Sequence, residues 1–265
     1  MRHKSILLKS FTLKLNDEKK HNKVYSANEE SYRRKVFAQN LKKILESNLE
    51  ADLGMRSFKL AVNHYADMTP QEFALKMTGL RRGKPPTILK AAYRASFNRT
   101  SNRTIPVRPF NRTLKATKLP KNFDWREKGV VTSVNNQGEC GACWALAASA
   151  ALESHNAIKT GKLVRLSSQN LIDCVTEGSD GCEGGLMDPA FDYVHKNDGI
   201  DTEESYPYEG RKSVCRYSEA AKGASCKGYV DIEPFDEVAM MQAVANSGPI
   251  VVGLDGDSLF FQFYS

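Results

Sequence analysis

Between residues 28 and 50 the apolar side chains Val36, Phe37, Leu41, Ile44 and Leu45 return every three or four positions. That spacing predicts an amphipathic helix, and Glu29 and Arg33 add an i, i+4 pair of the favoured polarity. Residues 58–68 predict a short strand and turn. Thr69-Pro70-Gln71-Glu72 then opens a second short helix, with proline in the first turn beside an acidic residue. From 81 to 118 the period is lost among Arg, Thr, Pro and Asn, which predicts a linker whose basic residues are open to proteases.

The pattern resumes at Leu119, with Phe123-Asp124-Trp125 supplying aromatic core material. Residues 143–159 predict the best helix of the chain, alanine-rich, with Leu146, Leu152 and Ile158 on it and Gly161 just past its end. Further helices are expected at Ser168–Cys174, behind a serine cap, at Met187–Lys196 and at Asp236–Asn246. Residues 200–227 read as mostly loop, with a turn at Tyr206-Pro207-Tyr208. Gly228–Ile232 and Pro249–Leu254 read as strands. The apolar run Phe260-Phe261-Gln262-Phe263-Tyr264 has nothing after it to pack against, and unpaired sheet edges around 228–265 carry an aggregation risk.

A net charge of +7 suggests a nucleic-acid or membrane binder until it is divided. Residues 1–118 hold 26 Lys+Arg against 9 Asp+Glu (+17), and residues 119–265 hold 12 against 22 (−10). A basic segment joined to an acidic one can be neutralised within the molecule. No groove-reading motif accompanies the charge, so nucleic acid is not an expected partner. All six cysteines, Cys140, Cys143, Cys174, Cys182, Cys215 and Cys226, lie in the acidic part. Their irregular gaps, with no histidine at zinc-finger spacing, favour disulfides in an oxidising compartment over a metal site. Three N-R-T triplets, at Asn98, Asn102 and Asn111, suit an exposed glycosylatable segment of a secreted chain. At the N-terminus Ile6-Leu7-Leu8 is too short for a signal core, and no apolar run is long enough to insert in a membrane. Either the chain is cytosolic or its start is incomplete, and the cysteines and acceptor triplets favour the second.

The stretch with the most chemistry is Gln137 to Trp144, Q-G-E-C-G-A-C-W, directly before the alanine-rich helix. A sulfur at that junction meets the free N–H groups of the first turn and the positive end of the helix dipole, which favour an anion. Here the chain resembles papain-like cysteine peptidases. Glu29, Arg33, Phe37, Asn40, Ile44 and Asn48 match the interspersed prosegment pattern of the cathepsin L-like branch, and Ala61, Asn63, Tyr65 and Asp67 follow its companion motif with two conservative departures. The likeness continues in Asp124–Gly129, Gly181–Met187, Glu203–Tyr208 and Gly248-Pro249-Ile250.

The resemblance implies an α+β fold: a papain-like two-lobe protease with a helical inhibitory prodomain and an incomplete β-rich lobe. It implies a prodomain at 1–80, a basic activation segment at 81–118 and a partial peptidase domain at 119–265. Cys143 is then the nucleophile, and Gln137 donates its amide to the oxyanion hole. Trp144 walls the site, Gly185 offers backbone hydrogen bonds to a peptide, and Met187 lines an apolar pocket; without the family match Met187 reads equally well as core. Disulfides Cys140–Cys182 and Cys174–Cys215 follow, with Cys226 a free thiol and no metal or cofactor. The partners implied are peptide and protein substrates and the chain's own prosegment, which acid would release as carboxylates protonate. The +17/−10 split is expected to contribute to that latch. A monomer, lysosomal or secreted, is expected.

The catalytic His and Asn belong roughly 130–150 residues beyond the nucleophile, at about 273–293, past Ser265. None of His3, His21, His64, His155 and His195 fits the role. Three readings remain: a precursor inactive over these residues, a prodomain-based inhibitor of related proteases with a dead catalytic half, or an active enzyme that continues past Ser265.

Overall fold

α1, Ala27–Asp52, starts at Ser26, whose hydroxyl accepts a hydrogen bond from the Glu29 N–H, and buries Val36, Phe37, Asn40, Ile44 and Ser47. The buried stripe therefore passes through polar residues, and Leu45 is exposed rather than part of the apolar face. The reason is hydrogen bonding. Asn40 Nδ2 donates to the carbonyls of Ala66 (2.9 Å) and Met68 (2.8 Å). Asn48 holds both main-chain groups of Leu60, accepting from its N–H at 2.7 Å and donating to its carbonyl at 2.8 Å. These carboxamides take backbone groups that would otherwise be buried unpaired. Leu60 consequently makes only an isolated bridge, to Tyr264, where a strand was expected at 58–68. α2, Pro70–Met77, has the expected cap: Thr69 and Glu72 form a complete capping box with Pro70 in the first turn.

The structure is a computed structural model, and it describes Lys14 and residues 17–79, 119–233, 235–256 and 258–265. The expected linker 81–118 with its N-R-T triplets lies outside the described residues, as does the basic start of the chain. Two compact units are present, one from Met1–Thr78 with Leu254–Ser265 and one from Gly79–Gly253. The final apolar run, with nothing after it to pack against, packs back on residues of the first unit. It forms a short helix, α7 (Leu259–Gln262). Phe263 is fully buried with Phe37, Ile44, Leu60 and Ala66. The Ala61 N–H donates to the Phe263 carbonyl (2.9 Å), and Asn63 Nδ2 donates to the Gln262 carbonyl (2.6 Å).

In the second unit α3, Cys143–Thr160, ends at Gly161 with φ 74°, the left-handed cap that its position suggested. Ala145 and Ala148, both fully buried, let α4 (Ser168–Cys174) and α5 (Met187–Lys196) pack closely around Leu171, Ile172, Ala190 and Val194. Buried Glu153 on α3 accepts from the Leu166 N–H (2.8 Å) and the Thr132 hydroxyl (2.6 Å); burial pushes its carboxyl pKa up.

Residues 200–227, expected as loop, contain a two-stranded antiparallel sheet of β1 (Ile200–Asp201) and β2 (Lys222–Ala224). Gly228–Ile232 and Pro249–Leu254 form no strand. A strand is made by its ladder partner as much as by its own alternation, and neither segment has one among the described residues. α6, Glu237–Asn246, is capped by Asp236.

Candidate active site

The loop before α3 is fixed from several sides. Asn136 Oδ1 accepts from the Gly138 N–H at 2.9 Å. Arg165 donates to Asn135 Oδ1. The disulfide Cys140–Cys182 ties the loop to residues 181–186, and the Gly141 N–H donates to the Cys182 carbonyl at 2.9 Å. The Gln137 carbonyl accepts from the Tyr208 hydroxyl at 2.7 Å and from the Cys140 N–H at 3.4 Å. Cys143 is the first residue of α3 and its thiol is free and half-buried. Ala142 precedes it and has no side chain to cap the helix, so the first-turn N–H groups and the dipole are available to negative charge on sulfur.

Gly185 sits on the indole of Trp144. A Cβ at this position would lie 2.5 Å from Ser179 Oγ and 2.7 Å from Trp144 Cδ2, so only glycine fits. Trp144 is wholly buried and donates from Nε1 to the Gly181 carbonyl (3.1 Å). It is the floor beneath the Gly185 edge rather than an exposed wall. The Gly185 N–H donates to the Gly79 carbonyl at 2.9 Å. Gly79 itself runs so close to the Cys143 loop that a Cβ there would stand 1.8 Å from the Gly141 carbonyl oxygen. Met187 begins α5 and packs half-buried against the core.

Other residues are placed elsewhere. Cys174–Cys215 is a second disulfide, beside Asn170, whose Nδ2 lies 3.1 Å from Cys174 Sγ. Cys226 is free; burial raises its thiol pKa. His155 hydrogen-bonds the Pro249 carbonyl (3.0 Å) and His195 the Cys226 carbonyl (3.1 Å). Among the described residues no group of His, Cys, Asp and Glu is placed to hold a metal ion.

Chemically, the unit presents a thiol at a helix start, a carboxamide-bearing loop leading into it, and a glycine edge bonded to an extended backbone. Gly79 and Tyr208 were not visible as site residues in the sequence. Tyr208 read as part of a turn and as the end of the family-like run Glu203–Tyr208, with no role attached, and the sole signal for Gly79 was a glycine just beyond α2.

Comparison with known proteins agrees with this geometry. The profile of the papain family cysteine proteases matches residues 119–265, and that of the cathepsin propeptide inhibitor domain (I29) matches residues 18–73. Cathepsin K of Mus musculus is 45% identical over 249 residues, covering 94% of this chain and 70% of its own. A cathepsin L-like peptidase of Aedes aegypti is 43% identical over 247 residues, covering 92% and 70%. Among solved structures, the digestive procathepsin L2 proteinase from Tenebrio molitor larval midgut is 33% identical with a TM-score of 0.82, covering 97% of this chain and 78% of that one. The digestive procathepsin L 3 of the same tissue is 30% identical with a TM-score of 0.80, covering 97% and 76%. The chain belongs to the papain family of cysteine proteases and is a proenzyme of its cathepsin L-like branch.

Proposed function

We propose that this chain is a cysteine endopeptidase precursor in which Cys143 attacks peptide carbonyls and the prodomain blocks the substrate edge. The sulfur bonds to the carbonyl carbon, and charge passes to the carbonyl oxygen. The Gln137 amide and the Cys143 N–H receive that charge, at about 2.7–4 kcal/mol for such a donor. The departing amine needs a proton from an imidazole. His155 does not supply it, being twelve residues along α3 from Cys143, about 18 Å at 1.5 Å per residue; it and His195 are each bonded to a main-chain carbonyl. The family's base and its Asn belong at about 273–293, outside these 265 residues.

The observation that carries the reading is the hydrogen bond from Gly185 to Gly79. A main chain already lies on the edge where a substrate's would pair, beside the nucleophile's loop. The 265-residue chain is therefore expected to turn over no dipeptidyl fluorogenic substrate. An epoxysuccinyl dipeptide, slowed by the same occupancy but reacting irreversibly, should still alkylate Cys143 and leave Cys226 unmodified. Labelling of Cys226 in preference to Cys143, read by peptide mass, contradicts the assignment.

Gly79→Ala tests the block. The added methyl collides with backbone rather than with a movable side chain. Such overpacking costs about 1–3 kcal/mol, enough to raise the Cys143 alkylation rate about tenfold. An unchanged rate means that the Gly79 contact does not guard the site.

The prodomain-inhibitor reading keeps one supporting observation, the same seat of Gly79, and predicts that the purified chain inhibits a related cathepsin at micromolar concentration. Two disulfides favour a lysosomal or secreted setting, and we take the protein to act as a monomer. Among the described residues no helix is long and apolar enough to cross a membrane.

A further inference from the structure

We infer that Tyr208 is a positioning residue for the oxyanion donor, its hydroxyl fixing the peptide plane from which the Gln137 carboxamide extends; this rests on the reading of Cys143 as nucleophile.

The Gln137 turn is pinned downstream by Cys140–Cys182, while Asn136, Gly138 and Glu139 on either side of Gln137 are exposed. Within that exposed stretch the Gln137 carbonyl is held by Tyr208 Oη at 2.7 Å, against 3.4 Å for the turn's own bond from the Cys140 N–H. A carbonyl fixed in direction fixes the adjoining peptide plane, and with it the direction in which the Gln137 side chain departs.

The post that does this is rigid. The Tyr208 N–H donates to Glu203 Oε1 (3.0 Å), and the next N–H, of Glu209, donates to Gln169 Oε1 (2.8 Å) on α4. Two residues earlier, the Tyr206 carbonyl accepts from the Ser167 hydroxyl (2.6 Å) and the Tyr206 hydroxyl donates to Asp173 (2.6 Å). The segment bearing Tyr208 is thus held at four points, two of them on α4 and a third at its Ser167 cap, and the Tyr208 ring packs against the core. Burial, with the charge of Glu203, pushes the Tyr208 pKa up to about 12, so the hydroxyl remains a donor at any pH at which the protein works. Preorganised donors gain their catalytic worth from being held before charge develops.

The test uses the 265-residue chain and two small reagents that consume the same thiol. With p-nitrophenyl acetate, the Cys143 sulfur forms a bond to the acetyl carbon and the carbonyl oxygen becomes an oxyanion. The C–O bond to p-nitrophenolate then breaks, p-nitrophenolate leaves with the electron pair, and the thiol proton passes to buffer. Because p-nitrophenolate needs no proton to leave, no imidazole is required. With iodoacetamide, sulfur displaces iodide at saturated carbon and no oxyanion forms. Rates are read at Cys143 by peptide mass. Tyr208→Phe should slow acetylation about tenfold, Gln137→Ala about a hundredfold, and the double variant no more than Gln137→Ala alone. Iodoacetamide rates should stay unchanged in all three.

Equal slowing with both reagents would show a general structural role and overturn the inference. So would normal acetylation of Tyr208→Phe where Gln137→Ala is slow; in that case the Gln137 oxyanion assignment stands. Normal acetylation of Gln137→Ala removes that assignment, and the Tyr208 inference with it.

Discussion

Replacing Asp67 with alanine is expected to destabilise the prodomain unit by about 3–5 kcal/mol, the usual cost of removing one partner from a buried ion pair. Asp67 is 1% exposed. Its carboxylate accepts from Lys14 Nζ (3.0 Å), Lys23 Nζ (2.7 Å) and the Tyr25 hydroxyl (2.9 Å), while its carbonyl accepts from Arg33 (3.1 Å). Arg33 also pairs with Glu72 (2.9 Å), and Lys14 with Glu18 (2.6 Å). Without the Asp67 charge, two ammonium groups lose their shared carboxylate and keep Glu18 and Asp17 as ion-pair partners. Asp67→Asn keeps the shape and should cost less, which separates charge from packing. Both tryptophans, Trp125 and Trp144, lie in the other unit. Tryptophan fluorescence should therefore report an unchanged midpoint while hydrogen exchange of α1 accelerates. Exchange of α1 at the wild-type rate in Asp67→Ala would show that the network contributes nothing.

The same groups set a direction for acid. Burial alone would raise the Asp67 carboxyl, but hydrogen bonds from Lys23, Lys14 and Tyr25, with the charge of Lys23, hold it below the ordinary aspartate value. Glu72 is lowered too: the Thr69 N–H and hydroxyl and Arg33 outweigh its burial. A carboxyl lowered in the fold contributes stability above its unfolded pKa and loses it as pH falls through the folded one. The prodomain network should therefore hold at pH 5 and weaken below about pH 4. In the catalytic unit burial raises the carboxyls of Glu153, Asp192 and Glu203. Those groups take up protons more readily folded than unfolded, so that unit gains stability as pH falls through their folded values. Acid thus favours the catalytic unit over the prodomain, and this asymmetry is a more local latch than the +17/−10 division of the whole chain.

Periodic segments were the legible part of the fold. α1, α3, α4 and α5 stand within two residues of their expected bounds and α2 starts where expected, because each carries its own cap or helical period: Ser26, the Thr69–Glu72 box, Gly161, Ser167. The two unrealised strands failed where local pattern depends on a distant partner. Asn40 and Asn48 are poor helix formers, and their reason is tertiary, in the carbonyls of Ala66, Met68 and Leu60. At the site, Cys143, Gln137 and Gly185 stood in a contiguous motif or a glycine-rich run. Tyr208 and Gly79 act through one hydroxyl and one carbonyl reached across 71 and 106 positions, and no spacing rule connects them.

Phe263→Ala is expected to cost the first unit about 3–5 kcal/mol, the range for removing a buried aromatic ring when the cavity cannot collapse. Phe263 has no solvent exposure and is one of two aromatic rings in a buried cluster completed by Phe37, Ile44, Leu60 and Ala66. Its surroundings resist closure. Leu60 is held at both main-chain groups by Asn48, and the Ala66 carbonyl is held by Asn40. The Phe263 carbonyl is itself bonded to the Ala61 N–H, and Gln262 Nε2 donates to the carbonyls of Tyr65 (3.1 Å) and Met68 (3.3 Å). Those bonds belong to backbone or to Gln262 and survive the substitution, so the ring's volume is the loss that the experiment reads. Exchange of α1 around Phe37 and Ile44 should accelerate as it does in Asp67→Ala, again with tryptophan fluorescence unmoved. The deficit should also appear without mutation: a fragment ending at residue 118 lacks Phe263 and should show the same accelerated exchange in α1. Adding a peptide of residues 254–265 in excess should slow that exchange again, whereas the same peptide with Phe263→Ala should not. Protection of α1 in the bare fragment equal to that in the whole chain would mean that Phe263 covers the prodomain core without supporting it.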